Sequence, residues 1–173
     1  ELGIDCGGSC AEACGTMRVL FSDSFDNGLA RWAASGNVRV VQNRTGYQGG
    51  PSARLTAPSV LEADVSTSGY DSLLLRYVRN SSGLDAGEFF SAEVSTDGAV
   101  YTELERFEDS GFSHVSFPLP ASFANQPSLR LRVRVEGTWF LLPEYATLDS
   151  IVLEGRVTVG ADVCTSDSAC AAL

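Results

Sequence analysis

Three arginines at every second position are the most chemically suggestive feature of this 173-residue chain: Arg130, Arg132 and Arg134 in "LRLRVRVEG", residues 129 to 137. Leu129, Leu131, Val133 and Val135 fill the positions between them. Successive side chains of a strand point to opposite faces, so one face here is apolar and the other carries three guanidiniums. A guanidinium fork holds carboxylates and sulfates through two parallel hydrogen bonds. If Arg76 and Glu93 share that face, the five residues form a patch that reads anions. The competing reading is an internal ladder in which Glu93, Glu103, Glu105 and Glu136 neutralise the arginines across strands, each pair worth roughly 0.2–1 kcal/mol. With 22 acidic residues against 12 basic ones, every arginine has partners at home, which tilts the balance towards the ladder.

Rings are the second kind of candidate. Trp139 and Phe140 in "GTWFLLPEY" and Tyr47 in the glycine-rich "TGYQGG" fall in loops, where an exposed ring is costly without a use. Such rings serve as stacking platforms when a few polar groups fix a ligand's orientation. The plainer alternative is that they cover the edge of the fold or pack against a neighbouring domain. Trp32 in "GLARW" reads as a core plug. Catalysis has little support. The lone His114 lies in "SHVSF" with no GxSxG elbow, and Glu103/Glu105 and Glu108/Asp109 are too close in sequence to face each other across a cleft. "GYQGG" lacks the lysine and following helix of a phosphate cradle. The chain is therefore expected not to be an enzyme.

Composition narrows the partners. A formal charge of −10 argues against duplex nucleic acid and against an anionic membrane surface. No apolar run approaches the ~20 residues of a membrane-spanning helix. No signal-peptide core opens the chain, so it reads as a segment processed or excised from something longer. Cys6, Cys10 and Cys14 stand near one end and Cys164 and Cys170 near the other, with a cysteine-free body between. This pattern suggests staples on appendages in an oxidising, extracellular setting, secreted or at a cell surface. Cys164–Cys170, closing "CTSDSAC", is the favoured pair. Among the other three, one thiol is left over, and a bridge between the two ends is the rival connectivity.

These candidates must be positioned by short elements. Residues 1–16 carry no periodic pattern and read as a Cys/Gly-rich linker, and residues 158–173 as a short cysteine-bearing tail. Between them, residues 17–157 form a series of alternating or β-branched runs, including "MRVLF", "VRVVQ", "SARLT", "LLLRYVR", "EFFSAEVS", "VYTELERF" and "HVSFPLP". Turn residues such as "FDNG", "STDG" and "ANQP" separate them, and no apolar stripe has helical spacing. About ten strands at such spacing predict an all-β, antiparallel sandwich or barrel. In "HVSFPLP", Val115, Phe117 and Leu119 are predicted inside and His114 and Ser116 outside.

"LFSDSFDNGLARW", "NRTGYQGGPSARL", "DVSTSGYDSLLLRYVRNSSGLDAGEFFSAEVSTDG" and "YATLDSIVLEG", taken in that order over about residues 19–155, resemble a secreted jelly-roll module. The similar group is the galactose-binding-like and MAM-like β-sandwiches appended to bacterial extracellular enzymes and adhesins. The resemblance implies an antiparallel jelly-roll β-sandwich acting as a non-catalytic, carbohydrate-binding accessory module of a larger protein, with polysaccharide and neighbouring domains as partners. The alternative function is a structural or protein-interaction spacer with no glycan ligand. The resemblance also implies a structural Ca²⁺ near the chain ends. By position, Asp26 and Asp149 carry over to that site, and Asp23 and the backbone of Gly46–Gly50 could add oxygens. Ser150 stands where many relatives repeat the acid, which weakens the calcium expectation, and Tyr101 stands where many have tryptophan.

Overall fold

The computed structural model describes residues 17–42, 50–137 and 144–157. The linker, the tail and all five cysteines, Cys164 and Cys170 included, lie outside the described residues. The described chain folds into antiparallel strands: β1 Met17–Asp23, β2 Ala33–Gln42, β3 Pro51–Val65, β4 Tyr70–Ser82, β5 Phe89–Ser95, β6 Thr102–Phe107, β7 Gly111–Pro118, β8 Leu129–Glu136 and β9 Tyr145–Val157. Among the described residues, helical geometry is confined to a short 3₁₀ turn at Ala121–Phe123. Alternation explains why these segments become strands. In β8 the apolar positions are buried and the arginine positions only partly so. The turns follow their chemistry as well. In "STDG" the Asp97 carboxylate accepts the N–H groups of Ala99 and Val100, and Gly98 takes a φ of 71°.

β3 is shared between two layers. Its residues 51–56 lie beside β9, and its residues 59–65 pair with β8. β2 follows it around the corner, with residues 37–42 opposite the first half of β3 and residues 33–36 opposite the second. The bend has a local cause in both strands. Pro58 has no N–H to continue the ladder. Opposite it, Gly36 has a φ of 77° and backs onto β3 so closely that a Cβ would lie 2.8 Å from Ser59 Cα. The first layer thus contains β2 (37–42), β3 (51–56), β9, β4 and β7, with β1 also on β9. The second contains β2 (33–36), β3 (59–65), β8, β5 and β6. This is the antiparallel β-sandwich that the alternating runs predict, in the jelly-roll form that the resemblance implies.

The layers meet through the inward residues of their strands, Leu131 and Val133 of the alternating β8 run among them. Leu131, Val133, Val94 and Leu61 of the second layer join Leu55, Leu75, Leu148 and Leu153 of the first in one core, as packing of two inner faces requires. Trp32 belongs to this core. Its ring stands edge-on to Phe21 at 5.3 Å and stacks on Phe25 at 6.0 Å, and its indole N–H donates to Asp23 at 2.9 Å. One predicted outward residue turns inward instead. Glu105 of β6 accepts hydrogen bonds from Arg79 Nε and Nη2 at 2.8 and 2.7 Å and from the Tyr77 hydroxyl at 2.6 Å, tying β4 to β6 across the layers. Burial first, and the Glu105 charge second, push the Tyr77 phenol well above its ordinary pKa. Glu105 is therefore not part of the outer arginine ladder. A register shift between β5 and β6 at Ala92–Glu93 breaks the simple alternation that would have put it there.

Candidate functional site

The outward face of the second layer carries the arginine stripe. Cross-strand register sets Asp64, Arg130 and Ser95 abreast, and likewise Glu62, Arg132 and Glu93. Arg130 donates from Nε and Nη2 to the two oxygens of Asp64 at 2.8 and 2.9 Å. This hydrogen-bonded fork holds the Asp64 carboxyl below its ordinary pKa. Arg132 and Arg134 share Glu93, donating from Nε to its two oxygens at 2.6 and 2.9 Å, and Arg134 reaches Glu136 at 3.0 Å. Arg132 also lies 3.2 Å over the Tyr101 ring, whose hydroxyl donates to Glu62. Arg106 and Arg134 lie over Phe89 at 3.4 and 5.2 Å. Side chains laid across β5 in this way explain why all seven of its residues are buried. The arrangement matches the internal ladder. Each of the three guanidiniums already holds a carboxylate, and Asp64 is the partner that alternation alone did not reveal.

Arg76 does not join this face. It lies on β4 in the first layer, where its Nη2 meets Glu154 at 2.7 Å. The expectation that it extends the patch is corrected by topology: β4 and β8 belong to different layers. Trp139, Phe140 and Tyr47, the candidate rings, lie outside the described residues. The calcium candidates are not gathered either. Among the described residues no group of three or more His, Cys, Asp or Glu could hold a metal ion, so Asp23, Asp26 and Asp149 do not form a site by themselves. Asp23 is spent on the Phe25 N–H and the Trp32 indole, and Asp26 accepts the Ser24 hydroxyl. Asp149 is buried in β9 and accepts the Ser150 hydroxyl. Gly46–Gly49, the other part of that expectation, lie outside the described residues.

A groove of about 350 Å³ opens near β1, lined by Ser22, Asp23, Asn27, Arg31 and Ser150 among others. Its charged groups are engaged internally, Asp23 as above and Arg31 on the Ser22 carbonyl.

The outward face of the first layer differs. Through the register of five strands, Arg39, Arg54, Thr147, Asn80 and Phe112 form one continuous row from β2 through β3, β9 and β4 to β7. On one side of it lies the row Asn37, Thr56, Tyr145 and Ser82. On the other lie Asp149, Val78 and His114, with Ser52 also on this side. Four inter-strand spacings of ~4.8 Å give this surface a width of roughly 19 Å. It offers the half-buried Thr56 and Ser82 hydroxyls, the Asn80 amide, two guanidiniums and an exposed Phe112 ring set edge-on to His114 at 5.2 Å, while Thr147 is buried and donates to the Asn80 carbonyl. Arg54 lies 4.1 Å over the Tyr145 ring. The Ser52 hydroxyl and Arg54 Nε are buried without a hydrogen-bond partner among the described residues. A mixed surface of this kind, with polar groups left over and a ring for stacking, can hold a polyhydroxylated ligand. Sequence reasoning missed it because "VRVVQ" and "SARLT" each present one arginine, and only strand pairing sets Arg39 beside Arg54.

No family model matches the chain, and no curated protein matches it. Among solved structures, it is similar to TmCBM61 in complex with β-1,4-galactotriose, at 16% identity and a TM-score of 0.62, over 79% of this chain and 97% of that one. The K1 cleaved adhesin domain of Lys-gingipain from Porphyromonas gingivalis W83 shares 15% identity at a TM-score of 0.57, over 82% and 99%. The C-terminal family 22 carbohydrate-binding module of Clostridium thermocellum Xyn10B shares 14% at 0.56, over 82% and 96%. The chain has the β-sandwich fold of these modules.

Proposed function

We propose that this chain is a non-catalytic carbohydrate-binding accessory module of a larger secreted or cell-surface protein, and that it binds a polysaccharide across the outward face of its first layer. The observation that carries this reading is the row from Arg39 to Phe112, which runs over five strands and presents two guanidiniums, the Asn80 amide and an exposed ring. The solved modules that share the fold, one holding galactotriose and one named for carbohydrate binding, support it. Such a module raises the local concentration of its attached domains on a polymer. Glu103 and Glu105, the nearest thing to an acid pair, are engaged by Arg106 and by Arg79 with Tyr77.

A glycan panel spanning neutral and acidic polysaccharides tests the proposal on the full chain. Phe112→Ala and Asn80→Ala are expected to weaken a hit by about tenfold each, a loss of about 1.4 kcal/mol. Arg132→Ala, on the other layer, is expected to leave it unchanged. Silence of the folded chain across the panel would overturn the reading in favour of a spacer between domains. So would a hit indifferent to both first-layer changes.

A further inference from the structure

Resting on that reading, we infer that the saccharide bound by the first-layer face is anionic, and that Arg39 and Arg54 together recognise its carboxylate or sulfate groups. The two arginines are direct cross-strand partners on β2 and β3. Like charges set opposite each other destabilise a sheet, so such a pair calls for a counter-charge. At seven other positions this acidic protein provides one, whereas Arg31 donates to the Ser22 carbonyl. Arg76, Arg79, Arg106, Arg130, Arg132, Arg134 and Arg156 each meet a carboxylate within 4.0 Å. Arg39 and Arg54 meet none among the described residues. Arg39 is exposed, and Arg54 is held against Tyr145 with its Nε lacking an acceptor.

Among the described residues, no carboxylate forms an ion pair with Arg39 or Arg54. The groups beside Arg54 in its own row are the Thr147 hydroxyl and the Asn80 amide. Asp149, a carboxylate in the neighbouring row, is buried and accepts the Ser150 hydroxyl. The protein itself shows the geometry that an arginine here can adopt towards an acid, in the two parallel bonds from Arg130 to Asp64. An anionic sugar between Arg39 and Arg54 would relieve their mutual repulsion and accept charge-assisted hydrogen bonds from both, while Asn80 and Phe112 meet its neutral ring atoms. Uronates and sulfated sugars present the same bidentate acceptor, so the site distinguishes charged from neutral polymers first.

Isothermal titration of the full chain decides the matter in three arms: a neutral galactan or xylan, polygalacturonate with its carboxyl-reduced form, and a sulfated galactan. The anionic polymers are expected to bind at least about tenfold more tightly than their neutral counterparts, the effect of one charge-assisted contact. That preference should shrink as NaCl rises from about 0.05 to about 0.5 M. Arg54→Gln and Arg39→Gln should abolish it by lowering anionic binding to the level of the neutral polymer, with the folded chain's melting curve retained. The carboxylate and sulfate arms identify which anion is read. Equal binding of neutral and anionic polymers, or a preference that survives both substitutions, would overturn the inference while sparing the broader reading. Absence of binding in every arm would remove both.

Discussion

The arginine stripe of the second layer and the Arg39–Arg54 pair of the first stand under opposite conditions. On the second layer, Arg130, Arg132 and Arg134 are met by Asp64, Glu93 and Glu136 and lie over or beside Tyr101 and Phe89. On the first, Arg39 and Arg54 stand beside each other with no ion pair among the described residues. The same residue type on the same kind of strand thus does two jobs. A guanidinium whose carboxylate comes from the next strand rigidifies the sheet. One whose neighbours are hydroxyls, an amide and another guanidinium retains capacity for something outside the chain.

Removing the acid at the centre of the closed face should have the largest effect. Glu93 is 4% exposed and serves two arginines, so Glu93→Ala leaves two half-buried cations without their shared partner. A loss of about 2–4 kcal/mol is expected in urea unfolding. A change under about 0.5 kcal/mol would show that the ladder contributes nothing and would erase the contrast between the faces. Arg132→Ala comes next, at about 1–2 kcal/mol, because it removes one arm of that pair and the contact with Tyr101. Arg39→Gln with Arg54→Gln is expected to cost less than about 0.5 kcal/mol, or to stabilise, since it removes a like-charge pair. A large loss there would mark these arginines as structural too.

Acid titration sharpens the contrast further. Arg130 lowers the Asp64 pKa in the folded chain, so the ionised carboxylate contributes stability above its unfolded value of about 3.9. That contribution disappears as pH falls through the lower folded value. Unfolding midpoints measured below about pH 4 should therefore fall more steeply in the native chain than in Arg130→Gln. Parallel curves would count against the Asp64 fork. The smallest expected effect is that of chelation. With Asp23 committed to Trp32 and Phe25, EDTA is expected to move the melting temperature by less than about 2 °C. A larger fall would restore a calcium site that draws on residues beyond those described.

Much of the scaffold was legible in the order of residues. Leu129, Leu131, Val133 and Val135 alternate with arginines, and that period of two placed each on its correct side. Trp32 declared itself as core by its size and its place at the end of a turn. Glu105 was misread because a register shift moves it from one face to the other, and nothing in "VYTELERF" marks the extra residue. Arg76 was misgrouped because parity along a strand says which side a residue takes but not which layer the strand joins. The Arg39–Arg54 pair was invisible for a related reason. The residues are 15 positions apart in sequence, and only the register of β2 on β3 sets them opposite each other.

The sequence by itself determined that this chain is β, that its strands have an apolar and a polar side, and where its turns fall. Those are consequences of side-chain alternation and of turn residues with restricted backbones, which act over a few positions. The tertiary structure decided which polar sides face which partners. That depends on the corner at Gly36 and Pro58, which splits β2 and β3 between the layers, and on the shift in β5–β6. Whether an arginine is closed by an acid or left open is settled by its neighbour on the next strand, and strand neighbours are chosen by the packing of the whole core.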